Sequence, residues 1–122
     1  MAYIHYNPNP LNKSANDCVV RSLCRITGDT WRESFVKICC KGYEFYDMPS
    51  TNSIWDIYVM DDLNFEMVSP DRPCCTVKDF TRIHSCGYYL ACTGSHVVAI
   101  VDGNYYDAWD SGNEIVTYYY RL

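Results

Sequence analysis

One stretch of sequence decides the fold: SHVVAIVDGNYYDAWDSG, residues 95–112. Its apolar run, Val97–Val101, is typical of a strand, the Asp-Gly-Asn that follows is a turn signal, and an aromatic-rich segment comes after the turn. This order predicts a β-hairpin. His96 stands at the start of the first strand and an acidic residue at the end of the second. A base and its orienting partner would lie there if a nucleophile came from elsewhere in the chain.

The length of the hairpin turn decides which acid faces His96. A three-residue loop, 102–104, would place Asp110 directly opposite His96, and cross-strand neighbours share a face. A two-residue Asp-Gly loop would shift the register by one residue, turn Asp110 to the other face and bring Asp107 diagonally near His96. Asp-Gly favours the shorter loop, whereas Asn104 tolerates the left-handed conformation that ends three-residue loops. The residues alone leave both acids open.

Helix signals come before the hairpin and strand signals dominate after it. A capping residue followed three positions later by an acid predicts helix starts at Ser14 (with Asn16 as the alternative cap), Thr30, Ser53 and Thr76. Gly28 and Gly42 fit the ends of the first two helices. Besides the strand in residues 97–101, the pattern predicts strands at residues 65–68, 88–92, 105–109 and 115–120.

The predicted class is α+β, with N-terminal helices packed on one face of a C-terminal antiparallel sheet. We expect residues 1–122 to form a single domain with one hydrophobic core. Residues 1–13 contain two Asn-Pro steps, and a residue before proline favours extended backbone. They are therefore predicted to form an extended N-terminal arm.

Charge and hydropathy argue against several classes of partner. The net charge is −5 with no basic cluster, which argues against a nucleic-acid backbone as partner. No apolar run approaches the ~20 residues that a membrane span needs. The start of the chain lacks a charged-then-apolar signal pattern, so we expect the cytoplasm, or the cytosol of a host cell.

The chain contains eight cysteines, which we expect to be reduced. Cys24 and Cys39 occupy apolar positions of predicted helices, and a free cysteine behaves as a small buried hydrophobe. Disulfides, typical of short secreted chains, and a metal site are the alternatives. The pairs Cys39-Cys40 and Cys74-Cys75 lack the spacing of two to four residues usual in zinc sites. Neither a metal nor another cofactor is therefore expected.

Cys18 is the candidate nucleophile because it lies in the predicted first turn of the first helix. A helix N-terminus and a neighbouring imidazolium both lower the pKa of a thiol. Unpaired backbone N–H groups at such an end could also stabilise an oxyanion. His96 is the natural base, since His5 lies in the arm and His84 ends a short helix without an orienting acid. The alternative is that Cys18 and His96 are only structural.

In the order of these residues the chain resembles the papain-like cysteine peptidase superfamily. The resemblance rests on the Asp17-Cys18 step that opens a helix, the later Gly-Ser-His96 strand and an acid closing the next strand. The compact members, namely the peptidases of bacteriocin exporters and the Josephin-type deubiquitinases, are most similar in layout. The resemblance implies a papain-like fold with Cys18 as nucleophile, His96 as base and Asp110, rather than Asp107, as the orienting residue.

Two details bear on the resemblance. The family carries an oxyanion side chain, usually Gln, about six residues before the cysteine, which implies Asn12 in that role, with Asn9 and Asn16 as alternatives. Val19 stands where the family has glycine or tryptophan. The Asn-Pro-rich arm with residues 17–21, DCVVR, also resembles small uncharacterised proteins of bacteria and their phages.

The sequence thus predicts a cysteine hydrolase acting on a peptide, isopeptide or other amide through a thioester. An acyltransferase, in which an amine replaces water, would use the same residues. A non-catalytic binding or inhibitor protein of phage type on the same fold is the main alternative, in keeping with the acidic charge and the twelve tyrosines. A metal-binding protein that uses the surplus cysteines is the third.

Overall fold

The predicted hairpin lies inside a six-stranded mixed sheet in a computed structural model of the chain, which describes residues 2–70 and 75–122. The strands are β1 (Tyr3–His5), β2 (Glu66–Val68), β3 (Cys75–Thr76), β4 (Tyr88–Cys92), β5 (Val97–Val101), β6 (Asn104–Asp107), β7 (Ile115–Val116) and β8 (Tyr118–Arg121). The order in the sheet is β1-β6-β5-β4-β8-β2, and β3 pairs with β7 apart from it. The class is α+β, as expected.

The helices are α1 (Cys18–Thr27), α2 (Trp31–Phe45), α3 (Asn52–Ile57) and α4 (Val77–Ile83). A π-helical turn, Tyr58–Asp62, continues α3. Within residues 2–70 and 75–122, no helix is both long and apolar enough to cross a bilayer.

Helices cover both faces of the sheet rather than one, which corrects the sequence expectation. Val97 and Ala99 of β5 belong to a core cluster under α1, α2 and α3. Val98 and Ile100 belong to a second cluster, under α4. All of β5 is buried, because a strand that packs on both faces carries apolar side chains at every position.

The sheet is mixed rather than wholly antiparallel because its outer strands come from outside the predicted set of C-terminal strands. β1 pairs in parallel with β6, so part of the expected arm is a strand. β2 pairs with β8 on the opposite side of the sheet. The arm supplies partners for the backbone groups of β6 that would otherwise lie at an open sheet edge.

Local capping chemistry places two helix starts as expected. Thr30 and Glu33 form a full capping box at α2, and the Thr76 side chain accepts a hydrogen bond from the Asp79 N–H at α4. The first helix instead begins after Asp17, so neither Ser14 nor Asn16 is its cap. α3 begins after Thr51 rather than Ser53. Because the predicted caps of α1 and α3 depended only on local spacing, tertiary contacts could override them.

The expected end of α2 at Gly42 is wrong, since the helix runs to Phe45 and Tyr46 takes the left-handed conformation with φ 56°. Gly42 instead allows the backbone at Asp47 to pack closely against the helix. A Cβ there would lie 2.6 Å from the Asp47 carbonyl oxygen of the chain returning beneath the helix. The predicted strand at residues 115–120 is divided into β7 and β8.

Candidate active site

The turn of the β5–β6 hairpin has two residues, Asp102 and Gly103, and pairs Val101 with Asn104. Both turn residues have positive φ, 48° and 80°, as a type I′ turn requires. Of the two loop lengths that the sequence left open, the two-residue one is observed, and the three-residue loop that would have favoured Asp110 is not formed. In the observed register the side chain of Asp107, and not that of Asp110, shares a face with His96.

His96 is hydrogen-bonded to Asp107, with 2.6 Å between Nε2 and Oδ2. The thiol of Cys18 lies beside the same imidazole, since both side chains line one cavity and each shifts the pKa of the other. Because Nε2 is engaged by Asp107, the other ring nitrogen, Nδ1, is left for the thiol. The structure thus brings together Cys18 and His96, as predicted, with Asp107 as the acid.

Asp110 is not the orienting acid, which corrects the choice implied by the family resemblance. Its Oδ1 accepts a hydrogen bond from the Tyr105 hydroxyl at 2.6 Å and from the Gly112 N–H at 3.0 Å. The strand ends at Asp107, so Asp110 lies in the loop that follows and helps to shape it. The short turn is the physical reason for this shift.

Cys18 is the first residue of α1, where the N–H groups of the first turn have no helical partner. Asp17, the residue before it, makes no side-chain capping bond to them. The helical hydrogen bonds begin at Arg21, whose backbone N–H donates to the Asp17 carbonyl oxygen at 2.8 Å. Cys18, Val19 and Val20 line a cavity, so the helix end opens onto a space where a ligand oxygen could bind.

The Asp17 carboxylate turns inward because buried donors compete for it. Arg21 Nη1 lies 2.5 Å from Asp17 Oδ1, and the indole N–H of Trp31 donates to Oδ2 at 2.8 Å. Arg21 is only 5% exposed, and its Nη2 lies 3.0 Å from Asp107 Oδ1. A buried ion network therefore runs from the N-terminus of α1 to the acid on β6.

Sequence reasoning missed Arg21 and Ser111, both of which contact Asp107. The Ser111 hydroxyl donates to Asp107 Oδ2 at 2.6 Å. For Arg21 a signal was available, because Asp17 and Arg21 flank Cys18 at the i, i+4 spacing of a helical ion pair. For Ser111 there was none, since its approach depends on how the loop after β6 folds back.

The pKa values of Cys18, His96 and Asp107 are all shifted from their ordinary values. Burial alone would raise the pKa of the Cys18 thiol. Hydrogen bonding to His96 and to the Val97 backbone, together with the positive charges of His96 and Arg21, outweighs the effect of burial, so the pKa of Cys18 is lowered. Burial lowers the pKa of His96, but hydrogen bonds to Asp107 and Cys18 raise it to about 9. Burial likewise opposes the ionisation of Asp107, yet His96, Ser111 and Arg21 keep its pKa below the ordinary value.

These directions favour the thiolate form of Cys18 and the imidazolium form of His96, held by an ionised Asp107 carboxylate. The thiolate is the nucleophilic form of cysteine, and the imidazolium is a proton donor. Comparisons with protein-family models, curated proteins and solved structures found no match. The functional assignment therefore rests on the geometry of these side chains.

Asn12 does not reach this site. It is exposed, has φ 52° in a turn of the arm, and its side-chain oxygen accepts a hydrogen bond from Asn7 Nδ2 at 3.3 Å. Its expected role at an oxyanion is wrong, because the arm turns back on itself before reaching the helix. Asn9 accepts the Leu11 N–H in the same turn. Asn16, the remaining alternative, lines the cavity beside Cys18.

The cavity at Cys18 has a volume of about 600 Å³. It lies between the start of α1, the inner face of α2, the loop before α3 and the β4–β5 turn. Its aromatic lining residues are Trp31, Phe35, Trp55 and Tyr118. Trp109, which is 48% exposed, contacts the His96 ring with 4.9 Å between ring centroids and so covers it from the outside.

The other candidate groups lie elsewhere. The His5 ring contacts the Tyr3 hydroxyl, and His84 packs on Phe80, where burial lowers its pKa. Cys24 is buried, as expected, whereas Cys74 lies outside the described residues. In the part of the chain that the structure describes, no three His, Cys, Asp or Glu side chains are grouped so as to hold a metal ion.

Proposed function

We propose that this chain is a papain-like cysteine hydrolase that cleaves a peptide, isopeptide or other amide bond. The observation that carries the proposal is the array in which Cys18 lies beside His96, and His96 is hydrogen-bonded to Asp107 at 2.6 Å, at a cavity of about 600 Å³. A nucleophile, a base and a group that orients the base are the parts that nucleophilic catalysis requires.

In the proposed reaction the Cys18 thiolate attacks the carbonyl carbon of the substrate, and the π electrons of the carbonyl move to its oxygen. As the tetrahedral intermediate collapses, the C–N bond breaks and the His96 imidazolium gives its proton to the departing amine. The product of this half-reaction is a thioester on Cys18. Water, deprotonated by His96, then attacks the thioester and releases a carboxylic acid and the thiolate. An amine in place of water would give acyl transfer.

The neighbouring residues have distinct roles in this reaction. Asp107 accepts a hydrogen bond from the Nε2–H of His96 and so directs Nδ1 toward Cys18. The uncapped N–H of Cys18 and the side-chain amide of Asn16 are the proposed donors to the oxyanion. A single donor of this kind commonly supplies about 3 kcal/mol of transition-state stabilisation.

A non-catalytic binding or inhibitor protein remains the second candidate because large aromatic side chains are exposed at the end of α2. Tyr43 is 87% exposed and Tyr46 is 97% exposed. Exposed tyrosines offer apolar contact area with a polar tip, as in many protein interfaces. In that case the protein would not convert any substrate at Cys18.

Labelling with iodoacetamide, followed by peptide mass spectrometry, tests the nucleophile. The exposed Cys86 is an internal reference in the same chain. We expect Cys18 to react about tenfold faster than Cys86 at pH 7, because the lowered pKa of the Cys18 thiol favours its nucleophilic thiolate form, and to lose this advantage in His96→Ala. Equal rates, or an advantage that persists without His96, would overturn the proposal.

A peptide cleavage assay distinguishes the hydrolase from the binding protein. The wild-type chain is incubated with a mixed peptide library, and new termini are detected by mass spectrometry. Cleavage that disappears in Cys18→Ser supports the hydrolase. A reactive Cys18 without any cleavage of peptides or simple amides would favour the binding protein.

A further inference from the structure

The wall of the cavity opposite the thiol is apolar and aromatic. Trp31 and Phe35, four residues apart on α2, are stacked with 5.1 Å between their ring centroids and 10° between their planes. Trp55 and Ile38, both buried, continue this wall inward. We call the four side chains the aromatic wall.

A hydrogen bond links one residue of the wall, Trp31, to the residue before the nucleophile. The Trp31 indole N–H donates to Asp17 Oδ2 at 2.8 Å, and Asp17 directly precedes Cys18. The same carboxylate is held by Arg21. The aromatic wall is thus tied to the start of α1 by a buried charged group, and little reorganisation is needed for a ligand to pack on it.

The described residues that line the cavity offer no unengaged charge to a ligand. The charged groups among them are Asp17, His96 and the Cys18 thiolate, and each already has an ionic partner. The deeper polar groups stay neutral at pH 7, because burial raises the pKa of Cys92 to about 12 and raises that of Tyr118 as well. A charged ligand group placed here would lose its hydration without gaining a partner.

From this arrangement we infer that the site selects substrates carrying a bulky, uncharged apolar group, such as an aromatic or branched aliphatic side chain, beside the bond that is cleaved. The inference rests on the proposed function and deepens it by naming the substrate class. Phe35 is 43% exposed in the absence of a ligand. Covering such a ring removes apolar surface from water, which favours binding.

The test uses peptidyl chloromethyl ketones that differ only in the residue next to the reactive ketone: Phe, Leu, Gly, Asp and Lys. The thiolate of Cys18 displaces chloride and forms a thioether, so the rate of labelling at Cys18 can be followed by mass spectrometry. We expect the Phe and Leu reagents to react about 100-fold faster than the Gly, Asp and Lys reagents, since a filled apolar pocket discriminates about tenfold or more per methylene.

A matched pair of variants locates the selectivity. Phe35→Ser removes part of the aromatic wall, and Tyr43→Ser removes an aromatic side chain of the same helix that lies outside the cavity. We expect Phe35→Ser to slow the Phe reagent about tenfold, and Tyr43→Ser to leave its rate unchanged. Circular dichroism establishes that each variant is folded.

The outcomes separate this inference from the proposed function. Equal rates across the five reagents, or a preference for Asp or Lys, would overturn the selectivity even if Phe35→Ser failed to fold, because that comparison uses the unaltered chain. Iodoacetamide, which has no side chain to recognise, reports the reactivity of Cys18 independently. His96-dependent reaction with iodoacetamide together with equal chloromethyl ketone rates would leave the hydrolase proposal standing and remove only the inferred specificity.

Discussion

Arg21 on α1 and Asp107 at the end of β6 form a buried ion pair, with 3.0 Å between Nη2 and Oδ1. This pair joins the helix that begins at Cys18 to the strand that carries the partner of His96. Asp107 also accepts hydrogen bonds from His96, Ser111 and the Ala108 N–H. Its two oxygens thus have four donors, which holds the carboxylate in one orientation.

Removal of Arg21 is expected to destabilise the protein, because it leaves Asp17 and Asp107 buried without their shared cation. Breaking a buried pair in this way costs about 3–5 kcal/mol. Urea unfolding of Arg21→Ala measures the loss. Arg25→Ala, on the same helix, is the control, since Arg25 contacts the Tyr106 ring and hydroxyl at a partly exposed position. Similar midpoints for the two variants would contradict the structural importance of the Arg21 network.

The choice between the two acids can be tested at Cys18 itself. Asp107→Asn removes the charge that supports the His96 imidazolium, so the thiolate loses its partner. We expect the iodoacetamide rate of Cys18 at pH 7 to fall about tenfold, which corresponds to about one pKa unit. Asp110→Asn should change the rate by less than about twofold, because Asp110 contacts Tyr105 and Gly112 instead. A larger loss from Asp110→Asn would contradict the observed hairpin register.

The pH dependence of turnover follows from the directions of the two pKa shifts. The rate should rise with pH as Cys18 ionises through its lowered pKa, and fall as the imidazolium loses its proton near pH 9. Proton NMR of the His96 ring checks the upper limit directly. The titration should lie near pH 9 in the wild-type protein and move toward the ordinary 6.5 in Asp107→Asn, because the hydrogen-bonded carboxylate is then absent. A wild-type midpoint near 6.5 would disprove the ion pair.

The oxyanion role proposed for Asn16 has a reagent-specific signature. Addition of the Cys18 thiolate to the carbonyl carbon of a peptidyl aldehyde generates an oxyanion, whereas displacement of iodide from iodoacetamide does not. Asn16→Ala should therefore slow addition to a peptidyl aldehyde that ends in Phe about 100-fold, as loss of one oxyanion donor does, and leave the iodoacetamide rate unchanged. Asn12→Ala, which alters an exposed arm residue, is the control and should behave as wild type. Equal slowing with both reagents would indicate a structural effect at Asn16.

Packing at Gly42 gives a prediction that is independent of function. A Cβ at this position would lie 2.6 Å from the Asp47 carbonyl oxygen, a backbone atom that cannot simply rotate away. Gly42→Ala is expected to cost about 1–3 kcal/mol of stability through overpacking. Gly94→Ala is the matched control, because a Cβ there has open space around it. Thermal unfolding compares them, and equal melting temperatures would refute the close contact at Gly42.

Local signals in the sequence predicted which helices and strands form more accurately than they predicted where each helix or strand begins and ends. The alternation and turn residues of the hairpin, the capping box at Thr30 and the cap at Thr76 act between neighbouring residues, so they could be interpreted without a structure. Asp17 shows where this fails. Its carboxylate could have capped α1, but the buried donors of Arg21 and Trp31 bind it instead.

The sequence by itself determined that Cys18 opens a helix, that His96 precedes a buried strand and that one of two nearby acids would face the histidine. Only the tertiary structure decided which acid it is. The Asp-Gly turn closes with two residues, and a shift of one residue along a strand reverses the face of every side chain after it. The link from Asp107 to Arg21 likewise needed the folded chain, because it joins groups that are distant in sequence and meet only where α1 packs on the sheet.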